Sequence, residues 1–186
     1  MPTARGSDYD FTALEANLAL DFASASETAQ TSADLTLTQN WQGGSRIAKS
    51  HKLRLGREVS PSRVARVGYG VSYQDRTRQD TAVRSTETYT LDAFAIRQLP
   101  NKNLLRYGAS LSKVDSRSSD MAHTSAIFSL AYLPSEPLLG AQATFSGLLQ
   151  LREYDRLRYG STVREDQKLA LSANFVFNKL DYMGFS

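Results

Sequence analysis

The sequence predicts an all-β protein whose antiparallel, up-and-down sheet spans a membrane: a transmembrane β-barrel, incomplete, of about nine to ten strands. Three observations predict it. Apolar and polar residues alternate with a period of two along most of the chain, the pattern that sends them to opposite faces of a strand. Each run lasts about 9–11 residues, long enough for a tilted strand to cross a bilayer and longer than most globular strands. Turn-forming residues divide the runs, short turns taking alternate places with longer polar loops.

The first run sets Leu14, Ala16, Leu18, Leu20 and Phe22 against Glu15, Asn17, Ala19 and Asp21. The second sets Ala33, Leu35 and Leu37 against Asp34, Thr36 and Thr38. The third is weaker, with Leu53 and Leu55 beside Lys52, Arg54 and Gly56. The fourth is the clearest: Val67, Tyr69, Val71 and Tyr73 alternate with Arg66, Gly68, Gly70 and Ser72. In the fifth, Tyr89, Leu91 and Ala93 are followed by Phe94 and Ile96, a break in parity that predicts a bulge near Ala93. Runs at Leu105 to Leu111, Ala126 to Tyr132, Ala141 to Leu151 and Leu169 to Phe177 complete nine, with Ile127 an exception. Short turns are expected near 24–27, 59–62, 100–103, 134–137 and 178–181, and long polar loops over 39–50, 74–86, 113–123 and 153–166. Proline is expected only in turns, because inside a strand it removes a ladder hydrogen bond.

Composition narrows the classes. The chain has 186 residues, 41% of them hydrophobic, which suits one ordered domain rather than a disordered tail. It has no cysteine, which excludes a disulfide scaffold, a zinc finger, an iron–sulfur site and a thiol nucleophile. A formal net charge of +3 is too small to imply nucleic acid. No apolar stretch approaches the roughly 18–20 residues of a spanning helix. Residues 1–10 lack an apolar core, so no export signal is expected there.

A soluble β-sandwich shows the same alternation with its apolar face turned inward. Three features favour the membrane. Long strands joined as successive hairpins make a meander, whereas sandwiches use Greek-key crossovers. The polar positions favour Ser, Thr, Gln, Gly and Arg, with 6 Lys against 16 Arg in the chain. Tyr73, Tyr89, Tyr107 and Tyr132 fall near the ends of apolar runs, as interfacial girdles do. A sheet in hydrocarbon must then close, because each bare N–H or C=O costs several kcal/mol. Nine strands and a tenth that starts at Leu180 and stops by Phe185 leave an odd, open set. The expectation is a single barrel region over 1–186, truncated at its C-terminus, whose missing strands belong to a longer or split gene product.

No catalytic, cofactor-binding or metal-ligating residues are expected. His123 and Ser125 share a strand face but lack an orienting third group, so His123 reads as a solvated loop histidine rather than part of a lipase. His51 sits among Lys49, Lys52 and Arg54, and Asp75, Asp115 and Asp120 read as scattered loop carboxylates. Gly68 and Gly70 lack the following helix of a phosphate cradle and read as room on a strand. The functional content lies in inward charges. Arg54, Arg66, Arg106 and Arg152 share a face with Glu15, Asp21, Glu58 and Asp92, where they are expected to pair across a wet lumen or line an aqueous path. Two basic loops, with Arg76, Arg78 and Arg84 and with Arg156, Arg158 and Arg164, are expected to meet water or anionic headgroups.

The last third carries a family likeness. Arg152, Tyr154 and Asp155, then Tyr159 and Gly160, Arg164 and Asp166, the strand Leu169 to Phe177, and Gly184 with Phe185 resemble the C-terminal barrel of the surface lipoprotein assembly modifier family. The resemblance implies an outer-membrane barrel of a Gram-negative bacterium that helps move lipoproteins to the cell surface without bond chemistry. It implies outer-membrane lipid and surface lipoprotein clients as partners, and it brings no catalytic residue and no cofactor. The family's periplasmic helical-repeat domain is expected to be absent from this chain. Competing expectations are a passive porin-like or receptor barrel, an outer-membrane hydrolase and a soluble β-sandwich binding domain.

Overall fold

The structure, a computed structural model, describes residues 11–23, 28–79, 84–118, 121–155 and 163–177. They form nine strands: β1 (Phe11–Ala23), β2 (Ala29–Gln42), β3 (Ser45–Ser62), β4 (Ala65–Arg78), β5 (Thr86–Gln98), β6 (Leu104–Ser116), β7 (His123–Leu133), β8 (Ala141–Tyr154) and β9 (Glu165–Phe177). All nine lie in one sheet in chain order, and every neighbouring pair is antiparallel. The meander is therefore as the alternation predicts. The sheet is open: among the described residues β1 and β9 each pair on one side only. The tenth run, 180–185, lies outside the described residues, as do Asp120, Arg156, Arg158, Tyr159, Gly160, Gly184 and Phe185.

The register keeps like with like. One row runs Leu20, Ala33, Leu55, Val71, Leu91, Leu111, Ala126, Leu151 across eight strands. Another runs Ala19, Asp34, Arg54, Ser72, Thr90, Ser112, Ser125, Arg152, Asp166 on the opposite face. Because the side-chain period is two, a single one-residue slip anywhere would have mixed these rows. The apolar band is bounded at both ends. Tyr73 and Tyr89 meet as tilted rings 5.1 Å apart toward the 79–85 connection, and Tyr107 and Tyr132 lie toward the opposite end of the strands. Past Tyr73 and Tyr89 the same face turns to His51, Asp75, Glu87 and Asp115, neighbours on four adjacent strands.

Several local expectations are corrected. No bulge occurs at Ala93, where the β4–β5 and β5–β6 ladders run without a shift. Phe94 and Ile96 instead project onto the polar face, because glycine there leaves a site for a ring. The register shifts fall between Asn40 and Trp41 and between Val59 and Ser62. Pro61 lies inside β3, not in a turn, and the second of these irregularities is what admits it. The strands are also longer than the apolar runs, from 11 to 18 residues, because the ladders continue as polar hairpins past the band. That extension shortens every one of the expected long loops. The loop expected over 39–50 is reduced to a two-residue turn, with Gly43 at φ 56° and Gly44 at φ 78°. The strict alternation of short and long connections is lost with it. Arg76 and Arg78 belong to β4, and Asp75 and Asp115 to β4 and β6, not to loops.

Turn chemistry holds the other end. Asn103 is buried beside the β5–β6 turn, where its amide nitrogen donates to the Tyr132 hydroxyl and its oxygen accepts from Ser135 N at 2.9 Å. Before β8, Leu138 and Ala141 exchange backbone hydrogen bonds of 2.8 and 3.0 Å around Leu139 (φ 53°) and Gly140 (φ 79°). A type I′ turn needs positive φ at both central residues, and leucine carries a steric cost there. Leu139 is 88% exposed, so it gains nothing from packing in return. Leu139→Asn should therefore raise the unfolding free energy by about 1 kcal/mol, read as a higher denaturant midpoint at unchanged slope.

Candidate functional site

The polar face is built around a seam of glycines. Gly56 and Gly70 are directly paired on β3 and β4, and Gly68 and Gly108 flank Phe94 on β4 and β6. The Phe94 ring occupies the space a β-carbon at Gly68 would need, and a β-carbon at Gly108 would lie 3.7 Å from Phe94 Cβ. The Phe94 ring is thus laid over Gly68 on β4, filling the place where sequence parity alone predicts a bulge. Arg106 places its guanidinium 5.4 Å from the ring centroid, a cation–π contact.

Arg54 uses the same seam. Its guanidinium crosses β4 to reach Asp92 on β5, with Nη2 donating to Oδ2 at 2.7 Å. A β-carbon at Gly70 would stand 3.1 Å from Arg54 Nη2 and 3.4 Å from Asp92 Oδ1, so the glycine is what lets the pair lie flat on the sheet. Arg66 forms an ion pair with Glu58 across the β3–β4 pair, Nε lying 2.9 Å from Oε1. A recess of about 140 Å³ opens over Gly56 between Asp21, Ser32, Arg54, Glu58 and Phe94. Arg54, Arg66, Asp92 and Arg106 are therefore brought onto one face and into one neighbourhood.

Arg152 belongs to a second cluster, at the far end of β7, β8 and β9. It pairs in register with Ser125 and Asp166, and its Nη1 donates to the Tyr154 hydroxyl at 3.1 Å. Tyr154 is 7% exposed and surrounded by charge: the Arg164 guanidinium lies 4.5 Å from its centroid and that of Arg152 5.9 Å. Arg164 grips Asp166 with two hydrogen bonds, Nε to Oδ1 at 3.0 Å and Nη2 to Oδ2 at 2.7 Å. Backbone bonds from Tyr154 N to Arg164 O and from Asp155 N to Ala122 O draw the two adjoining connections together. The described family-like residues Arg152, Tyr154, Arg164 and Asp166 thus form one contact group, and Arg164 is not a free loop cation. Sequence reading did not foresee the contact, because it joins two strands across the connection over 155–164.

His123 also differs from expectation. It opens β7, packs as a tilted ring 5.3 Å from that of Tyr154 and engages Met121 O through Nδ1 at 2.6 Å, so it is a part-buried packing residue rather than a solvated loop histidine. Ser125, two residues on, is buried at 6% exposure beneath the same cluster. Among the described residues no group of His, Asp and Glu is arranged to hold a metal ion. No helix of the described residues is long and apolar enough to cross a membrane. Neither a family model, nor a curated protein, nor a solved structure matches the chain.

The Phe94 seam is testable by a double-mutant cycle. Gly68→Ala should cost about 1–3 kcal/mol through overpacking, and most of that cost should vanish in a Phe94→Ala background. Additive costs would mean that the ring is not what fills the glycine site.

Proposed function

We propose that this chain forms the wall of an outer-membrane β-barrel, apolar face to lipid and polar face to water, acting non-enzymatically in the translocation or assembly of surface lipoproteins. The observation that carries the membrane half is an inversion of burial. Along β5 and β6 the polar Thr88, Thr90, Asp92, Ser110 and Ser112 are half-buried, while Tyr89, Leu91, Tyr107 and Leu111 are exposed. Among the described residues no large side chain is fully buried. In water that arrangement forfeits the main stabilising force of a fold. In a bilayer it puts the aliphatic face in hydrocarbon, with tyrosines at both boundaries.

The lipoprotein half rests on the likeness around Arg152, Tyr154, Arg164 and Asp166, supported by their convergence on one end of the polar face. There they would stiffen the mouth of a translocation path and the connection beside it. The paired charges farther along, Arg54 with Asp92 and Arg66 with Glu58, leave a polar lining without a strong net sign. Such a lining suits passage of a polypeptide better than selection of a small ion.

Two measurements test the halves separately. Leu111→Arg should destabilise the protein folded in lipid vesicles by about 2–4 kcal/mol, while Ser110→Arg, adjacent on the same strand, should cost far less. Equal costs would remove the lipid-facing assignment. In cells carrying the full barrel, Asp166→Ala should reduce protease-accessible lipoprotein at the surface without lowering the amount of folded barrel. An unchanged lipoprotein display, together with ion conductance in planar bilayers, would favour a passive pore instead.

A further inference from the structure

Natural edge strands are protected against pairing by proline, lysine, bulges or short length. Among the described residues the two edges, β1 and β9, carry little of this protection. β1 has 13 residues without proline, lysine or arginine, and its ladder to β2 runs from Phe11↔Gln42 to Ala23↔Gln30 without a shift. β9 is equally long and free of bulges, with Lys168 its one basic residue. Leu169 and Leu171 on it are 70% and 78% exposed. Both strands are built as interior strands.

Direction restricts what can pair with them. All eight ladders are antiparallel, so β1 and β9 run the same way. Joining β1 to β9 would make a parallel seam, and so would joining β9 to β1 of a second copy inserted in the same orientation. A copy turned upside down would pair antiparallel, but it would send the 79–85 and 117–122 connections to opposite sides of the membrane. A segment with an odd number of strands pairs antiparallel at both seams without inversion.

Charge supplies the second constraint. On the polar face of β1, Asp21 has no oppositely charged partner among the described residues, and Glu15 accepts only from Asn17, at 2.9 Å. On β9, Lys168 likewise has no acidic partner among the described residues. We infer that both edges are completed by an amphipathic β-segment of odd strand number, antiparallel at each seam. Its lumen-side positions are basic opposite Glu15 and Asp21 and acidic opposite Lys168. The inference rests on the membrane reading, because only in hydrocarbon must the edges be paired.

The chain has no cysteine, so introduced thiols report cleanly. The probe is a synthetic 13-residue strand of alternating leucine and serine, with lysines set to face Glu15 and Asp21 and one cysteine near its N-terminus. Added to the full chain in detergent micelles, it should cross-link to Ala19→Cys in preference to Ala13→Cys, the antiparallel outcome. It should also slow exchange of the β1 amides that point away from β2. Exchanging its lysines for aspartates should weaken binding about tenfold or more. Preference for Ala13→Cys, or indifference to the charge reversal, would overturn the inference. So would edge amides already protected in the chain alone, whether it sediments as a closed monomer or as a dimer. Failure of the membrane reading looks different: the chain would fold as a monomer without detergent and stay outside vesicles.

Discussion

Backbone register is the constraint on which the rest of this structure depends. A strand's side chains alternate, and an antiparallel ladder places paired residues on the same face. Nine strands in sequential pairing therefore have two coherent faces only if eight registers agree in parity. They do so across the whole apolar band. The two irregularities, at Asn40/Trp41 and Val59/Ser62, lie toward strand ends and outside the band's centre. The separation of the leucine rows from the serine, threonine and Arg54–Asp92 rows is thus a property of the ladders, and it fails at once if one of them slips.

Given coherent faces, the polar one poses a packing problem that glycine solves. Arginine is long, and a guanidinium directed straight off the sheet would leave its charge without a partner. Gly70 lets Arg54 lie down and reach a carboxylate two strands away, and Gly68 lets Phe94 do the same across β4. Arg106 then finds the ring that this arrangement exposes. Three contacts that look unrelated in the sequence share one cause, the absence of side chains along a diagonal of the sheet.

How much of this was legible follows the range of each interaction. Period-two patterning is local, so the nine strands, the two faces and the shared face of Arg54, Arg66, Asp92, Arg106 and Arg152 could be read from the chain. What escaped needed a neighbour. Phe94 breaks parity in one dimension, and only pairing with Gly68 and Gly108 shows that the break is filled rather than bulged. The polar residues around Gly43–Gly44 resemble a loop, yet backbone hydrogen bonds need no apolar side chains and carry the hairpin beyond the band. The packing of His123 depends on Tyr154, its cross-strand partner from β8, and the hold on Tyr154 depends on Arg164 at the approach to β9.

Arg57 is the sharpest challenge to reading the apolar face as lipid-facing. It stands on that face between Thr31 and Tyr69, exposed, and no carboxylate pairs with it among the described residues. A soluble sandwich handles such a residue worse, since closing a second sheet over the face would bury the guanidinium against Leu55 and Val59, where an unpaired charge is least tolerated. It would also have to cover a band running from Leu14 on β1 to Phe177 on β9. A bilayer offers a route that a packed core does not: the Arg57 stem can lie along the strand toward the β3–β4 turn at 63–64 and deliver its charge to the headgroups. Arginines near a boundary, Arg57 here and Arg97 close to the end of β5, are compatible with hydrocarbon beside them. A half-buried row of serines, threonines and charges opposite a row of exposed leucines fits a bilayer on the leucine side better than water on both sides. The second conflict involves far more surface, and it is the ground on which the membrane setting is proposed.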